Sequence, residues 1–517
     1  YRQNKTGKST LLTPKALHQV TFWVDSTANL SEENRYVIRL LNGKNTSDSK
    51  AFVLPANSPI QSYLSIPLQI PAAGEIHGQA FTYTANDASV GDLDGDGTYE
   101  IILKWEPSNG KTPPQTGFTG NQLLDAYRLD GTLLWRIDLG VNIRSGAAYT
   151  QFLVYDFDGD GKAELMCKTG DGTKDGQGKI LGDATKDWRN TDEKSGFYGK
   201  IVEGPEYVTV FEGLTGKALA SATYIPTRYP LDGWGGIGGN GGNDNTGGRS
   251  DRFSGGVAFL DGIHPSAFFV RGWYGRTVIA AWDWQHGQLS NRWVFDSVDG
   301  KNPFSGMANH GVSVADVDAD GKDEICVGAM TVDDNGKGLY TTGLRHGDAL
   351  HIGDLDPNHA GLEVFGVHES EEKTIALNTP GVAMFDAKTG NILFSLGNGE
   401  DVGRGVAADI DPTHEGAENW GGTGGLRDVH GKTISEKVPS STNFVVWWDG
   451  DLTRELLDKN RIDKWNWQTN TTDNLLTEKG VTTNNGSKAT PCLSADLLGD
   501  WREEVIWRSS DNKELRI

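Results

Sequence analysis

Three short acidic segments of the chain carry carboxylates at a spacing that can wrap a cation. In the first, "DLDGDGTYE", the carboxylates of Asp92, Asp94, Asp96 and Glu100 stand at positions 1, 3, 5 and 9 around two glycines. Alternate residues of such a turn can direct several carboxylates and one backbone carbonyl to a common point, and oxygen ligands in this number suit Ca²⁺. The same spacing recurs at Asp156, Asp158, Asp160 and Glu164, and at Asp316, Asp318, Asp320 and Glu324.

These segments do not fit an EF-hand, which needs a glutamate at position 12 and a helix on each side. Position 12 is Leu103, Cys167 or Val327, and strand-like apolar runs flank each loop. A solvated Asp/Gly turn is the simpler alternative, but three near-identical copies favour a structural calcium site. Two looser copies, "DLDPNHAGLE" and "DIDPTHEGAE", extend the calcium prediction to Asp354, Asp356, Glu363, Asp409, Asp411 and Glu418.

The apolar runs around each acidic loop predict a pair of strands. "VAFLDGIHPSAFFV" and "SADLLGDWREEVIW" keep this plan with fewer carboxylates, and "AYRLDGTLLWRIDL", "VFEGLTGKALASA", "MFDAKTGNILFSL" and "VVWWDGDLTRELL" read as second hairpins with glycine at the turn. Two hairpins make a four-stranded unit, and about seven or eight such units of roughly forty to sixty residues predict an all-β chain folded as a β-propeller. A β-solenoid is the alternative fold.

The first 80 residues have strand-like segments but no acidic loop. We expect residues 1–80 to form an N-terminal β segment, either a small sandwich or strands that complete a propeller blade. Residues 81–517 then form the propeller itself.

The formal charge of −22 and the sequence pI near 4.9 argue against a general nucleic-acid or anionic-membrane surface and fit a cation-loading protein. No apolar run reaches the roughly 18 residues that a membrane-spanning helix needs. The three cysteines read as small buried hydrophobes rather than a disulfide framework. No charged-then-apolar leader follows Tyr1, so an exported protein would already have lost its signal.

The phrases "NIRSGAAYTQFLVYDFDGDGKAELMCKTGDGT", "GPEYVTVFEGLTGKAL" and "NNGSKATPCLSADLLGDWREEVIWR" resemble the bacterial rhamnogalacturonan lyases of polysaccharide lyase family 11, from about residue 80 to the end. The resemblance implies an eight-bladed propeller that carries several Ca²⁺ ions. It also implies a secreted enzyme that cuts the α-1,4 bond between rhamnose and galacturonate in pectin rhamnogalacturonan I by β-elimination. We further expect a monomer that contacts neither nucleic acid nor membrane.

Two departures from the family pattern stand out. "KWEPSN" has Glu106 where the family usually has a substrate-contacting aspartate. The chain also stops at Ile517, before the segment in which the family has its last strands and a substrate-contacting tyrosine.

β-Elimination removes the proton on C5 of galacturonate, beside its carboxylate, and expels the oxygen on C4. It needs cations on the carboxylate and a base at C5. The resemblance assigns Arg404 in "DVGRGVAAD" to the carboxylate, because a guanidinium fits it bidentately. Lys488 in "NNGSKATP" becomes the base or a second neutralising charge, and the positive charge of Arg404 or Ca²⁺ would help it lose its proton. The simpler reading makes both residues solvated surface cations.

The resemblance implies further contacts around these two residues. Asn485, Gly486 and Ser487 match a sugar-contacting turn, and Asn86 and Glu106 match the rhamnose side, although Asn86 could be a plain turn residue. Asp87, His310, His346 and Asp348 match calcium ligands, although histidine is an unusual one and the two histidines could be core residues. In "RGWYGR", Arg271, Tyr274 and Arg276 either line the cleft or pack in a strand.

Internal cutting of the polysaccharide is the first prediction and end-acting cutting the alternative. A loop that blocks one end of the cleft separates the two modes in the family, and we place it at residues 374–380, within "HESEEKTIALNTPGVAMFDAKTG". The alternative of another class is a calcium-dependent carbohydrate-binding propeller without catalysis.

Overall fold

The structure is a computed structural model that describes residues 1–4, 7–17, 23–58, 62–235, 247–298, 302–369, 378–499 and 502–517. The chain forms two compact units. The smaller contains Tyr1–Leu64 with Gly499–Arg502, and the larger contains Ser65–Leu498 with Glu503–Ile517. The division thus falls after Leu64, whereas the sequence pattern placed it near residue 80.

The smaller unit is built from short antiparallel strands. One four-stranded sheet has the order β2-β1-β3-β6, and β4 and β5 form a separate hairpin. The strands are β1 (Arg2–Gln3), β2 (Ser9–Thr10), β3 (Asn34–Tyr36), β4 (Arg39–Asn42), β5 (Asn45–Asp48) and β6 (Phe52–Leu54).

The larger unit opens with β7 (Ser65–Pro67) and a hairpin of β8 (Gly74–Ile76) and β9 (Gln79–Phe81). Four antiparallel sheets of four consecutive strands follow. Their strands are β10 (Tyr83–Gly91), β11 (Glu100–Pro107), β12 (Leu123–Tyr127) and β13 (Leu133–Asp138); β14 (Phe152–Tyr155), β15 (Glu164–Gly170), β16 (Glu206–Phe211) and β17 (Ala218–Thr223); β18 (Phe253–Ala258), β19 (Ser266–Arg271), β20 (Val278–Gln285) and β21 (Gln288–Asp296); and β22 (Ser313–Ala315), β23 (Glu324–Cys326), β24 (Met330–Val332) and β25 (Gly338–Thr341).

Three more sheets of the same kind and one five-stranded sheet complete the larger unit in the described residues. Their strands are β26 (Ala349–Gly353), β27 (Glu363–Val367), β28 (Pro380–Asp386) and β29 (Ile392–Asn398); β30 (Val406–Ala408), β31 (Glu418–Trp420), β32 (Leu426–Arg427) and β33 (Thr433–Ser435); β34 (Phe444–Val446), β35 (Glu455–Asp458), β36 (Arg461–Asn466) and β37 (Thr471–Thr477); and β38 (Val481–Thr482), β39 (Leu493–Ala495), β40 (Glu504–Ser509) and β41 (Glu514–Arg516), joined by β7. Short 3₁₀ turns lie at Leu231–Gly233 and Gly486–Lys488.

We number these eight sheets 1 to 8 in chain order. The first strands of successive sheets from sheet 1 to sheet 7 are neighbours, and β10 of sheet 1 also contacts β39 of sheet 8. The buried apolar clusters lie between adjacent sheets: one joins sheets 1 and 2 through Ile102, Leu124, Leu165 and Phe211. The sheets therefore stabilise one another face to face, as a repeat unit that cannot bury its own faces requires.

A strand from the start of the larger unit forms the outer edge of sheet 8. Ile66 of β7 pairs with Leu515 of β41, and both side chains are fully buried. Pro67 lies under the turn of sheet 1, where a Cβ on Gly131 would meet its ring at 2.7 Å. The two ends of the larger unit are thus tied together by strand pairing.

The glycines of the second hairpins leave room for aromatic side chains of the preceding sheet. A Cβ on Gly216 would lie 2.8 Å from the Trp135 ring, and one on Gly336 would lie 2.6 Å from the Trp293 ring. Both glycines have positive φ. The indole of Trp135 donates to the carbonyl of Gly213 at 2.7 Å, so each turn is held by the sheet before it.

The prediction of an all-β chain is confirmed. One hairpin was assigned wrongly: "VVWWDGDLTRELL" contains β34 and the start of β35, the first two strands of sheet 7, and its "DGD" is an acidic loop rather than a second-hairpin turn. Its single glycine gave it the appearance of the other turns. Among the described residues, no helix is long and apolar enough to cross a membrane.

The strand pairing of β7 predicts a specific loss of stability. Replacing the buried Ile66 by Ala should lower the free energy of unfolding by about 2–5 kcal/mol, because it leaves a cavity between two paired strands. Thermal and denaturant unfolding measure the change. Ile70→Ala, at a 43% exposed position, is the matched control and should cost less than about 0.5 kcal/mol. Equal effects of the two variants would contradict the proposed role of β7.

Candidate active site

Two ends of each sheet carry different chemistry. In sheets 1 to 7 an acidic or shortened loop joins the first two strands, so it lies at the opposite end from the residues that precede the first strand and follow the second. Neighbouring acidic loops are hydrogen-bonded, as in Ala163 N to Asp92 O at 2.7 Å and Arg454 N to Asp409 O at 2.8 Å. The predicted catalytic and sugar-binding residues all lie at the other end. We call this other end the cleft end.

The acidic loops fold around their own carboxylates. In the first loop, Asp92 Oδ1 accepts the N–H of Gly95 at 2.7 Å and of Asp96 at 3.1 Å, and Glu100 Oε2 accepts the N–H of Leu93 at 2.9 Å. Asp92, Asp94 and Asp96 bring one carboxylate oxygen each within 4.8 Å of one another. Backbone N–H groups hold one side of each carboxylate and leave other oxygens for a ligand. Corresponding groups are Asp156, Asp158 and Glu164, and Asp316, Asp318 and Asp320.

Electrostatics in these loops favours a bound cation. Burial, followed by the neighbouring aspartates, raises the pKa of Glu164 to about 8 and of Glu324 to about 7. Glu324 Oε1 is buried and has no hydrogen-bond partner in the described structure. A divalent cation would stabilise the ionised glutamates and would give the buried Glu324 oxygen a partner. The oxygen donor sets therefore fit Ca²⁺.

The two looser loops differ from each other. Burial raises the pKa of Glu418 to about 8, and both Glu418 Oε1 and Asp409 Oδ1 are buried without a hydrogen-bond partner in the described residues. In the other loop, His359 Nδ1 lies 2.7 Å from Glu363 Oε1. The loop of Asp409, Asp411 and Glu418 therefore fits a cation better than the loop of Asp354, Asp356 and Glu363.

Sheet 7 places a lysine where the other loops would place a metal. The Lys464 ammonium lies 3.2 Å from Asp449 Oδ1, 2.8 Å from Asp451 Oδ1 and 3.3 Å from the carbonyl oxygen of Thr453, and it also contacts Glu455. These are three carboxylates and a backbone carbonyl, the kind of donor set that Ca²⁺ prefers. Lys464 thus supplies the counter-charge of this loop from β36.

At the cleft end, two histidines and two carboxylates form a second kind of cluster. His310, His346, Asp348 and Glu369 each offer a ligand atom within 4.8 Å of the others. Asp348 Oδ1 lies 3.1 Å from His310 Nε2, and Glu369 Oε1 lies 3.8 Å from His346 Nε2. The residues come from the entries to sheets 4 and 5 and from the end of β27, which adjacent sheets bring together.

The imidazoles of this cluster are held neutral. Burial, followed by the charges of Lys488, Arg252 and Arg249, lowers the pKa of His310 to about 3. Burial also lowers the pKa of His346 well below its usual value, and its buried Nε2 has no hydrogen-bond partner in the described structure. A neutral imidazole nitrogen without a partner, beside two carboxylates, fits a divalent cation.

Arg404 and Lys488 approach this cluster from the entries to sheets 6 and 8. Arg404 Nη1 and Nη2 donate to the carbonyl and hydroxyl oxygens of Ser487 at 2.7 and 2.9 Å, so the guanidinium is tied to the residue before Lys488. Burial raises the pKa of Asp348, against the lowering effect of the Lys488 and Arg404 charges. The charges of the two predicted catalytic cations therefore act on this cluster.

The turn that carries Lys488 has an unusual backbone. Asn485 and Ala489 both have left-handed conformations, with φ of 58° and 51°. Asn485 Nδ2 donates to Thr490 Oγ1 at 2.8 Å, and Asn484 and Thr490 exchange backbone hydrogen bonds. Asn tolerates this conformation, whereas Ala is strained by it, and such strain is concentrated at functional sites. Residues 485–488 project into solvent from this closed base.

Sheet 1 supplies a separate group of polar residues at the cleft end. The nearly fully buried Lys104 pairs with Asp87, which sits at a bulge between Ala85 and Ala88. Burial raises the pKa of Glu106 to about 7, and its Oε2 has no hydrogen-bond partner in the described residues. Asn86 is buried beside them. Asp87 thus faces an ammonium group, while Glu106 keeps an unsatisfied carboxyl oxygen.

Comparisons with known proteins show which family this chain resembles. Residues 63–517 match "Rhamnogalacturonan lyase family 11, C-terminal domain". The chain is 52% identical to the rhamnogalacturonan endolyase YesW of Bacillus subtilis, over 96% of this chain and 77% of the relative, and 52% identical to the exolyase YesX of the same organism, over 88% and 74%. The solved Bacillus licheniformis rhamnogalacturonan lyase PL11 superposes with a TM-score of 0.91 at 53% identity, covering 100% of this chain and 84% of that one.

The chain belongs to rhamnogalacturonan lyase family 11. The recognition made from the sequence phrases is therefore confirmed. The endolyase and the exolyase are equally similar to this family-11 chain, so overall identity does not separate the two modes. Of the predicted blocking loop at 374–380, residues 374–377 lie outside the described residues.

Some residues of the family-11 cleft were missed by sequence reasoning. Glu369 completes the cluster of His310, His346 and Asp348, and Lys104 pairs with Asp87; neither residue was singled out. Glu369 lies two residues after the end of β27, where a carboxylate reaches the cleft end. This position after a predicted strand could have indicated Glu369 from the sequence. In "RGWYGR", Arg271 is fully buried and Arg276 pairs with Asp296 at 2.6 Å, as in the packed-strand alternative. Tyr274 instead lies at the cluster, with its hydroxyl 3.2 Å from His310 Nε2.

Removing the ammonium of Lys464 should convert the loop of sheet 7 into a calcium site. Lys464→Met keeps the length of the side chain but leaves three carboxylates uncompensated, so the variant should bind about one more Ca²⁺ per chain and melt at a lower temperature in chelator than the wild type. Equilibrium dialysis with metal analysis counts the ions.

Lys437→Met, at an exposed lysine, is the control and should change neither measurement. An unchanged calcium count in Lys464→Met, with a stability loss that calcium does not reverse, would contradict the assignment of the loop.

Proposed function

We propose that this protein is a rhamnogalacturonan lyase that cuts the α-1,4 bond between rhamnose and galacturonate of rhamnogalacturonan I by β-elimination. Family membership supports the reaction class. The observation that carries the proposal for this chain is the contact of Arg404 with the turn of Lys488, beside a cluster of two histidines and two carboxylates at the cleft end. That arrangement supplies the cations and the base that the reaction requires.

Arg404 neutralises the carboxylate of the reacting galacturonate. Removing the C5 proton places a second negative charge beside this carboxylate, and preorganised positive charge stabilises it most strongly in a site that excludes water. Its two bonds to Ser487 fix the guanidinium plane in the unliganded protein. The half-buried position of Arg404 limits competition from solvent.

Lys488 is the base. The neutral amine takes the proton from C5, the C4–O bond breaks as the C4=C5 double bond forms, and the expelled oxygen is protonated. Because Asn485, Gly486 and Ser487 precede Lys488 on one turn, sugar contacts made by them position the base.

We assign a divalent cation, in the family's case Ca²⁺, to His310, His346, Asp348 and Glu369. When bound, it supplies further positive charge for the substrate carboxylate. Asn86 and Glu106 contact the rhamnose side, where the unsatisfied Glu106 Oε2 can accept a sugar hydroxyl. Asp87, paired with Lys104, orients this group.

The finer fold is part of the same proposal. We infer that the eight sheets close into an eight-bladed β-propeller, supported by the β10–β39 contact and by the strand that β7 adds to sheet 8. Ca²⁺ in the acidic loops is structural and pins the far end of the blades. We also propose that the enzyme is secreted, because its pectic substrate lies outside the cell. It then acts as a monomer and cuts internal bonds.

The reaction is tested by the absorbance of the unsaturated sugar that β-elimination creates. Rhamnogalacturonan I in calcium buffer should give a steady increase, and chelator should abolish it. Early mixed oligosaccharides indicate internal cutting, and disaccharide from the start indicates end-acting cutting. Binding of the polymer without any absorbance change would contradict the lyase and favour a carbohydrate-binding propeller.

The base is tested by Lys488→Ala. Loss of a general base should lower kcat by about 10²–10⁴-fold, while calcium-dependent melting stays unchanged because residue 488 is exposed. Lys217→Ala removes an exposed lysine from the turn between β16 and β17, at the end opposite the cleft end, and should keep full activity. Retained activity in Lys488→Ala would remove this residue from the role of base.

A further inference from the structure

Two arginines approach the histidine cluster from sheet 3. Arg249 and Arg252 lie just before β18, and the guanidinium carbon of Arg249 is 3.9 Å from the ring centroid of Tyr274. That of Arg252 is 5.5 Å from Tyr274 and 5.6 Å from Trp273. The Tyr274 ring in turn lies 4.1 Å from the His346 ring, and its hydroxyl lies 3.2 Å from His310 Nε2. One aromatic ring thus separates the arginines from the histidines.

A buried ionic network fixes the backbone between these arginines. Arg271, fully buried, donates to the carbonyl of Ser250 at 2.7 Å and to the carboxylate of Asp251 at 3.2 Å. It also donates to Glu206 at 2.7 Å, which pairs with two more cations, Lys168 and Arg228. Residues 250 and 251 therefore cannot move without breaking charged bonds in a dry environment, and Arg249 and Arg252 extend from a rigid base.

Positive charge is gathered at this place in a chain that is acidic overall. The sequence has 70 acidic residues against 48 lysines and arginines. The nearby Arg271 and Arg276 both have carboxylate partners, whereas Arg249 forms no ion pair within the described residues. Both Arg249 and Arg252 are only half-buried, so a ligand can reach them. Arg249, which packs on the Tyr274 ring without an ion pair in the described residues, can therefore take a carboxylate of a ligand.

The order of the sheets places the cluster between two pairs of cations. Arg404 precedes sheet 6, the cluster belongs to the entries of sheets 4 and 5, and Arg249 and Arg252 precede sheet 3. Lys488 joins Arg404 on the first side. A rhamnogalacturonan chain alternates neutral rhamnose with anionic galacturonate, so it presents carboxylates at regular intervals to a row of cations.

We propose that Arg249 and Arg252 bind the carboxylate of a second galacturonate of the same polysaccharide chain, on the opposite side of the histidine cluster from Arg404. The inference rests on the proposed lyase function and adds a subsite to it. This subsite lies away from the reacting bond, so it strengthens the binding of long substrates in the ground state and in the transition state alike. Such uniform binding affects KM rather than kcat.

The test compares chain lengths. In Arg249→Gln/Arg252→Gln, KM for rhamnogalacturonan I should rise about ten- to hundredfold, the loss expected for charge-assisted hydrogen bonds, with kcat within about twofold. An oligosaccharide whose single galacturonate occupies the reacting position should be cut as by the wild type. Arg249→Lys/Arg252→Lys keeps both charges and should recover part of the loss, and Arg461→Gln, which removes a charge from β36, should change neither substrate.

Calorimetry tests the subsite separately from the reaction. In the Lys488→Ala background, where the polymer stays intact, the affinity should fall in the glutamine variant by about the factor by which KM rises. Unchanged polymer affinity, or an equal loss on the short and the long substrate, would overturn the inference. Failure of the wild type to release any unsaturated product would instead refute the proposed lyase, while the binding comparison would still decide the subsite. Melting temperatures within a few degrees of the wild type, with partial rescue by lysine, exclude misfolding as the cause.

Discussion

A chain with a formal charge of −22 can bind a polyanion only where its positive charges are gathered and most of its carboxylates lie elsewhere. The repeated hairpin meets this constraint, because its acidic loop lies at one end of the sheet and the strand entries at the other. Arg404 and Lys488 on one side, and Arg249 and Arg252 on the other, then surround a cluster whose histidines are neutral. The separation of charge along the strands is therefore what makes the cleft end a site for a pectic substrate.

The acidic loops show three ways to balance carboxylates that a fold places together. Sheet 7 uses the ammonium of Lys464, and sheet 5 places His359 against Glu363. The loops of sheets 2 and 4 have glutamates whose pKa is raised by burial and by their neighbours, and we propose that an external cation balances them. A repeat that keeps one backbone plan can thus exchange a metal for a side chain without changing the hairpin.

Local patterns were predictable from the sequence and contacts between sheets were not. The loop at Asp92, Asp94 and Asp96 encodes its own turn, so spacing alone indicates both the hairpin and the clustered carboxylates. Lys464 and Glu369 contact residues of other strands or sheets, and no short-range sequence pattern indicates their partners. Arg404 and Lys488 were reached only through resemblance to a family, because 83 residues separate Arg404 from Ser487, the residue it bonds. Likewise, the contact of Pro67 with the turn of Gly131 cannot be predicted before the fold is known.

The central claim is that Arg404 takes the carboxylate of the reacting galacturonate while Lys488 faces its C5. A crystal structure of Lys488→Ala soaked with a rhamnogalacturonan oligosaccharide tests this claim most directly. The account predicts a galacturonate carboxylate on the Arg404 guanidinium, with C5 turned toward the place of the missing amine and the sugar chain running past His310. An oligosaccharide bound away from Arg404, or with C5 turned away from residue 488, would contradict it.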